Sequence, residues 1–230
     1  MPTCDMNSSD VTSYSSIGYF LKPGVARSAH SLCGTQQIAG AISPNSGLPL
    51  LLVASLDATD PRLGISNSKV NTLHLLYSWT CGISDGDFTY RESSEGVEIL
   101  DYARGPTHND FPYENYPAFF PRIAVELEAL TTEEQAIIKQ MNRRVDSELP
   151  VHRAFPQLSA PRAQVGGEPR LMQWPLTPDI CPACGGSMPL LASIGNENGS
   201  VIGFTDNKFV QTLFFLCDAC TVVTAYNMCD

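Results

Sequence analysis

The sequence is poor in charge, and poorest in positive charge. Asp, Glu, Lys and Arg make up 17% of its 230 residues, with 24 acids against 14 Lys and Arg and a net charge of −10. A surface of that sign repels phosphates, which argues against nonspecific nucleic-acid binding and favours a basic partner. No apolar run approaches the roughly 18 residues of a membrane-spanning helix, so none is expected. Met1-Pro2-Thr3-Cys4-Asp5 brings neither a basic flank nor an apolar stretch, so no signal peptide is expected and the compartment follows as cytoplasmic. There the eight cysteines are expected to be reduced or metal-bound, and the Asn198-Gly199-Ser200 sequon has no consequence. Also missing are a Gly-x-Ser-x-Gly nucleophile elbow, a P-loop and a dinucleotide fingerprint.

What is present is apolar. Hydrophobic residues make up 43% of the chain, enough to bury a sizeable core. Pro49–Leu56 and Leu73–Trp79 are continuous apolar runs of strand length, read as strands buried on both faces. Tyr19–Leu21, Phe88–Tyr90 and Val97–Tyr102 read as further strands, and so do Met188–Ile194, Phe209–Leu216 and Thr221–Tyr226. Four prolines between Gly105 and Pro121, set among aromatics, forbid regular structure there. Thr131 and Glu134 form a capping box that opens a helix over 131–148, with Ile137, Ile138, Met141 and Val145 on one face. The expected organisation is a disordered tail at 1–16, a first β-rich part at 17–150 that includes this bridging helix, a linker at 151–163 and a second β-rich part at 164–230. The whole is expected to form one cooperative domain.

The most specific motif is Cys181-Pro182-Ala183-Cys184-Gly185-Gly186, followed after 32 intervening residues by Cys217-Asp218-Ala219-Cys220. A two-residue spacer lets both thiolates of a pair converge on one ion. Four thiolates in tetrahedral geometry suit Zn²⁺ in a closed, structural site with no open position for chemistry. The other readings are two disulfides or free buried thiols. Cys4, Cys81 and Cys229 have no local partner, although Cys229 stands near enough in sequence to supplement the site. His30, three residues before Cys33, raises a Cys–His pair or a second metal site, against two unrelated residues; His74 reads as a strand histidine and His108 as a solvated one.

The two parts echo each other in order. Gln37–Gly40 matches Gln164–Gly167, Pro49–Ser55 matches Pro189–Ser193, and Leu73–Tyr77 matches Leu213–Cys217. The spacing nearly holds, at 18 residues from Ser55 to Leu73 and 20 from Ser193 to Leu213. Two tandem pseudo-repeats packed on one core follow, each leaving an apolar face uncovered by itself. These segments, with Val165–Gln173 and Thr205-Asp206-Asn207 ahead of Leu213–Phe215, resemble the YwqG-like family of bacterial domains of unknown function over about residues 35–228. The Gly-Gly-x-Pro-x-x-x-Gln string and the cysteine pairs are also similar to the programmed-cell-death-protein-2 type, whose members act as ribosomal-protein chaperones. The first half departs from the pattern in having no Pro after Ala39-Gly40. The resemblance implies an α+β fold with tandem β-rich repeats, and the cysteine pairs add a zinc-ribbon-like C-terminal site. It supplies no catalytic residues, and some family members beside toxin genes look like immunity proteins.

From Asp85 to Asp101 there are six acids, Asp85, Asp87, Glu92, Glu95, Glu98 and Asp101, against Arg91 alone. Next to them lies the aromatic stretch Phe111–Phe120. Acids steer a basic protein and large aromatics anchor it, so Asp85, Asp87, Glu92 and Glu95 are expected to steer and Tyr113 and Tyr116 to anchor. A solvated hairpin beside inward-folded aromatics fits the same pattern. The expected function is non-enzymatic protein binding, as an immunity protein that neutralises a toxin with a basic surface. A chaperone-like binder of a basic client, and an enzyme whose site has no recognisable signature, are the alternatives.

Overall fold

Strand-length runs of Leu, Val and Phe must bury both faces, and here they do so in one long antiparallel sheet. The structure, a computed structural model, describes residues 12–25, 29–66, 69–78, 87–102, 119–142, 154–158, 160–171, 179–195 and 210–229. The chain begins with β1 (Tyr19–Pro23), β2 (His30–Leu32), β3 (Leu51–Asp57), β4 (Thr72–Tyr77), β5 (Asp87–Ser93) and β6 (Gly96–Tyr102). β7 (Ile123–Ala129) leads into α1 (Thr132–Asn142), the one α-helix among the described residues. After it come β8 (Gln164–Val165), β9 (Asp179–Ile180), β10 (Ser187–Met188), β11 (Leu190–Gly195), β12 (Val210–Cys217) and β13 (Val222–Cys229). The fold is therefore β-rich. Eleven strands form one sheet in the order β4-β3-β2-β7-β1-β8-β11-β12-β13-β5-β6, while β9 and β10 pair separately.

From the β7–β1 pair, β2, β3 and β4 follow on one side, and β8, β11 and β12, then β13, β5 and β6, on the other. The β3–β4 register shifts between Leu52 and Ala54, and the β11–β12 register shifts between Leu190 and Ala192. The main apolar cluster draws Leu21 and Val125 from the middle of the sheet, Val53 and Leu75 from one end, and Phe88, Phe214 and Val223 from towards the other. Both halves of the sequence thus line one core.

The sheet curls until β4, at one end, meets β5 and β13 near the other. Side chains close this seam. The Tyr90 hydroxyl donates to the His74 carbonyl at 2.7 Å and accepts from the Leu76 N–H at 2.8 Å. Glu92 shares the inner face of β5 with Phe88 and Tyr90, because alternate residues of a strand point the same way. Its carboxylate accepts the His74 N–H at 2.9 Å and also pairs with His74 Nδ1. Tyr90→Phe leaves a buried N–H and a carbonyl without that partner, at a cost of about 1–3 kcal/mol. The expected fall in melting temperature is roughly 2–12 °C, read by calorimetry. An unchanged melting temperature would mean that apolar packing alone closes the seam.

The capping box forms as expected: Glu134 N–H donates to Thr131 Oγ1 at 3.1 Å, and Thr131 N–H donates to Glu134 Oε2 at 2.8 Å. α1 buries Ile137, Ile138 and Met141 against Phe20, Leu130 and Leu158. Its expected continuation over 143–148, the 1–11 part of the tail, Trp79, the turn at 84–86 and the Pro-rich 105–118 lie outside the described residues.

Two expectations from polar composition need correction. Residues 12–16 are not a loose tail: Leu190 N–H donates to Thr12 O at 2.9 Å, and Tyr14 N–H donates to Leu190 O at 3.2 Å. The next turn of chain crosses Gly166-Gly167, both left-handed at φ +63° and +57°. A Cβ on Gly167 would sit 2.7 Å from the Gly18 backbone, so the crossing requires glycine. Nor is the segment 151–163 unattached where it is described. Pro156–Leu158 makes a 3₁₀ turn that buries Leu158, and Leu21 N–H donates to Ala163 O at 2.9 Å.

Candidate metal centre

β9 and β10 are short because their only task is to carry a turn. Within it, Cys181 N–H donates to Gly186 O and Gly185 N–H donates to Cys181 O, each at 2.8 Å. Gly185 is left-handed at φ +72°. The second turn joins β12 to β13, where Thr221 N–H donates to Asp218 O at 3.2 Å and Thr221 is left-handed at φ +52°. Gly185 and Thr221 each follow the second cysteine of a pair, so both loops curl the same way around their sulfurs. For a β-branched residue that backbone is strained, and Thr221 adopts it while buried.

The two turns bring Cys181, Cys184, Cys217 and Cys220 together, with all four sulfurs within 4.8 Å of one another. Cys184 and Cys217 are 3.7 Å apart at Sγ, and none of the four is in a disulfide. A tetrahedral ion with bonds of about 2.3 Å to sulfur sets its ligands about 3.8 Å apart, so the arrangement can hold a metal ion. Cys181 and Cys217 are buried, Cys220 is half-buried and Cys184 is exposed. Leu171, Met188, Leu213, Phe215 and Val222 pack around the site.

Without a cation the four sulfurs compete for protons. Burial pushes the Cys217 thiol up to about 12. The Gly186 N–H, and then the Cys220 side chain, pull the Cys184 thiol down. The Cys184 sulfur in turn holds the Cys220 thiol up. These four residues would hold a divalent cation as thiolates, and the cation's charge would settle the competition.

Residues far away in sequence brace the second turn. The Tyr14 hydroxyl donates to Leu216 O and accepts from the Asp218 N–H, both at 2.9 Å, and so straddles Cys217. Asp218 Oδ2 in turn accepts from Ser66 N–H at 3.4 Å. Burial pushes the Tyr14 phenol up, so it stays a donor.

No family model, curated protein or solved structure matches the chain. The site therefore rests on its own geometry.

The expected partner-binding residues fare unevenly. Glu92 is corrected: it is 4% exposed and bound to His74, so it faces the core rather than an approaching protein. Glu95 is exposed in the β5–β6 turn, and Glu98 and Asp101 are exposed along β6. Asp87 heads β5. Asp85, Tyr113 and Tyr116 lie outside the described residues.

His30 does not pair with Cys33. Its Nδ1 accepts the Asp57 N–H at 3.2 Å, which places its proton on Nε2, facing Asp60 Oδ2 at 3.0 Å. Arg62 grips the same carboxylate through Nε at 3.0 Å and holds it well below the usual range. Both ring nitrogens are occupied, which suits a bracing role between β2 and the loop after β3. Cys33 is buried apart from the four clustered cysteines, and burial pushes its thiol up to about 12.

Tyr14, Ser66, Asp218 and the Tyr90–His74–Glu92 seam had no motif to announce them. Only the Glu92 position carried a signal, its two-residue spacing from Tyr90.

Proposed function

We propose that this is a cytoplasmic bacterial immunity protein, non-enzymatic, that neutralises a cognate toxin by binding and covering it. The observation that carries the reading is the charge of one sheet edge. β6 ends the sheet, and Glu95, Glu98 and Asp101 are exposed along its turn and strand. A toxin that cuts nucleic acid or nucleotides needs a basic cleft, and an acidic edge complements one. With Glu92 turned inward, the steering set is Asp87, Glu95, Glu98 and Asp101. Tyr113 and Tyr116 keep their expected role as anchors, and Asp85 its role in steering.

In this reading the metal is a structural zinc, held by Cys181, Cys184, Cys217 and Cys220 in a zinc-ribbon-like pair of turns. An all-sulfur tetrahedral donor set favours zinc or iron, and a fully ligated zinc leaves no position for substrate. The matching ranks of β2–β3–β4 and β8–β11–β12, each with a register shift in its hairpin, support two pseudo-repeats of an α+β, YwqG-like fold.

Replacing Glu95, Glu98 and Asp101 together by Gln, Gln and Asn is expected to slow association with the product of a neighbouring toxin gene. The expected drop at low salt is roughly tenfold or more, with a flatter salt dependence and little change in dissociation. Stopped-flow association at several salt concentrations measures this. An unchanged association rate would remove the acidic edge from the interface. Transient binding to unfolded chains, with no folded partner held, would favour a chaperone.

A further inference from the structure

Arg170 is 7% exposed, yet among the described residues it makes no ion pair. Its Nη1 is fully used, donating to Asn142 Oδ1 and to Leu171 O, each at 3.0 Å. Asn142, at the end of α1, is itself pinned: its Nδ2 donates to Glu168 Oε1 at 3.0 Å and to Pro169 O at 2.8 Å, and its Oδ1 also accepts Leu171 N–H at 3.1 Å. Behind the arginine, Gln211 Nε2 donates to Arg170 O at 2.7 Å. The guanidinium is thus fixed from the backbone and from one of its three nitrogens.

The opposite edge is unused. Nε is fully buried without a partner, and no bond engages Nη2 among the described residues. Nη2 is not fully enclosed, so the edge opens to the surface at that nitrogen alone. Nε–H and the adjacent Nη2–H run parallel, and that is the edge with which a guanidinium grips two oxygens of a carboxylate or phosphate group. A buried cation without a counter-ion is costly. Glu168 accepts from the Asn142 amide and forms no ion pair with the guanidinium. Burial pulls the Arg170 guanidinium down from its ordinary range, as a missing counter-ion would.

We propose that Arg170 is the cation of a small oxyanion site, which holds the two oxygens of a carboxylate or a phosphate group on its Nε–Nη2 edge. Asn142, Leu171 and Gln211 are the positioning groups: they spend Nη1 and fix the backbone so that the binding edge is already oriented. The site does not depend on the toxin reading.

The test is an NMR titration of the arginine Nε–H resonances of the full-length wild-type chain. The probes are inorganic phosphate and acetate, at constant ionic strength with sodium chloride. The Arg170 resonance, assigned by its loss in Arg170→Lys, is expected to shift saturably, while the other arginines act as internal controls. Saturation by phosphate alone assigns the site to phosphate groups, and saturation by acetate alone assigns it to carboxylates. Arg170→Lys keeps the charge but loses the paired edge, so the same probe, followed through backbone amides near Asn142, is expected to bind roughly tenfold more weakly or worse. If that variant does not fold, the wild-type titration still decides, with Arg170 identified as the resonance whose Nε–H exchanges slowly because it is buried. No saturable shift with either ion, an equal drift of all arginines, or undiminished binding by Arg170→Lys would overturn the proposal.

Discussion

Stripping the metal proposed at the four cysteines is expected to lower the melting temperature by at least about 10 °C and to loosen β12 and β13 first. Structural zinc in small domains binds with roughly 10–16 kcal/mol, as much as the entire stability of an ordinary domain at about 5–15 kcal/mol. Here Cys217 closes β12 and Cys220 stands just before β13, two strands that sit between β11 and β5 in the sheet. Loss of an ion held there would therefore weaken an inner part of the sheet. Cys217→Ser should reproduce the effect, because it removes a buried sulfur and its charge. Cys33→Ser is the control, since that buried thiol lies outside the cluster, and metal content should be unchanged. Calorimetry before and after chelation, with elemental analysis of the same samples, reads both quantities. A melting temperature insensitive to chelator in a sample that contained zinc would contradict a structural role.

Cutting the chain at Ala160 and expressing the two pieces separately is expected to give insoluble or molten products. The sheet order makes the reason concrete. β8 depends on β1 for one edge, and β13 depends on β5. Phe88 and Val53 share their apolar cluster with Phe214 and Val223, so each piece alone exposes a large apolar face and unpaired strand edges. Asn142 of the first piece also bonds to Glu168, Pro169, Arg170 and Leu171 of the second. Co-expression is expected to restore one soluble complex with one cooperative transition. Two pieces that each fold as monomers, with sharp melting transitions of their own, would show that the halves are independent.

Local chemistry was legible in the sequence, and long-range pairing was not. Pro49–Leu56 and Leu73–Trp79 read as strands because an unbroken apolar run has no solvent face, and β3 and β4 cover Leu51–Leu56 and Leu73–Tyr77 of them. The Thr131–Glu134 box and the two cysteine pairs work through spacing alone, which a sequence displays directly. Nothing local says that β13 will pair with β5, or that the sheet will curl until Tyr90 reaches β4, because those partners are separated by long stretches of chain. Charge misled at Glu92, where acidity suggested solvent while the alternation through Phe88 and Tyr90 placed it inside. Polarity misled at residues 12–16, where the single aromatic Tyr14 anchors an otherwise hydrophilic segment to the turn that carries Cys217 and Cys220.

In the proposed function the protein acts by occupying a partner rather than by turnover. The direct measurement is a titration of the purified protein, zinc-loaded, against a fixed amount of a toxin encoded by a neighbouring gene, with residual toxin activity as the readout. Protection that is complete at an equimolar ratio, together with a complex of the same composition on size exclusion, is the predicted result. Protection at far below one equivalent, or the absence of any complex, would contradict it.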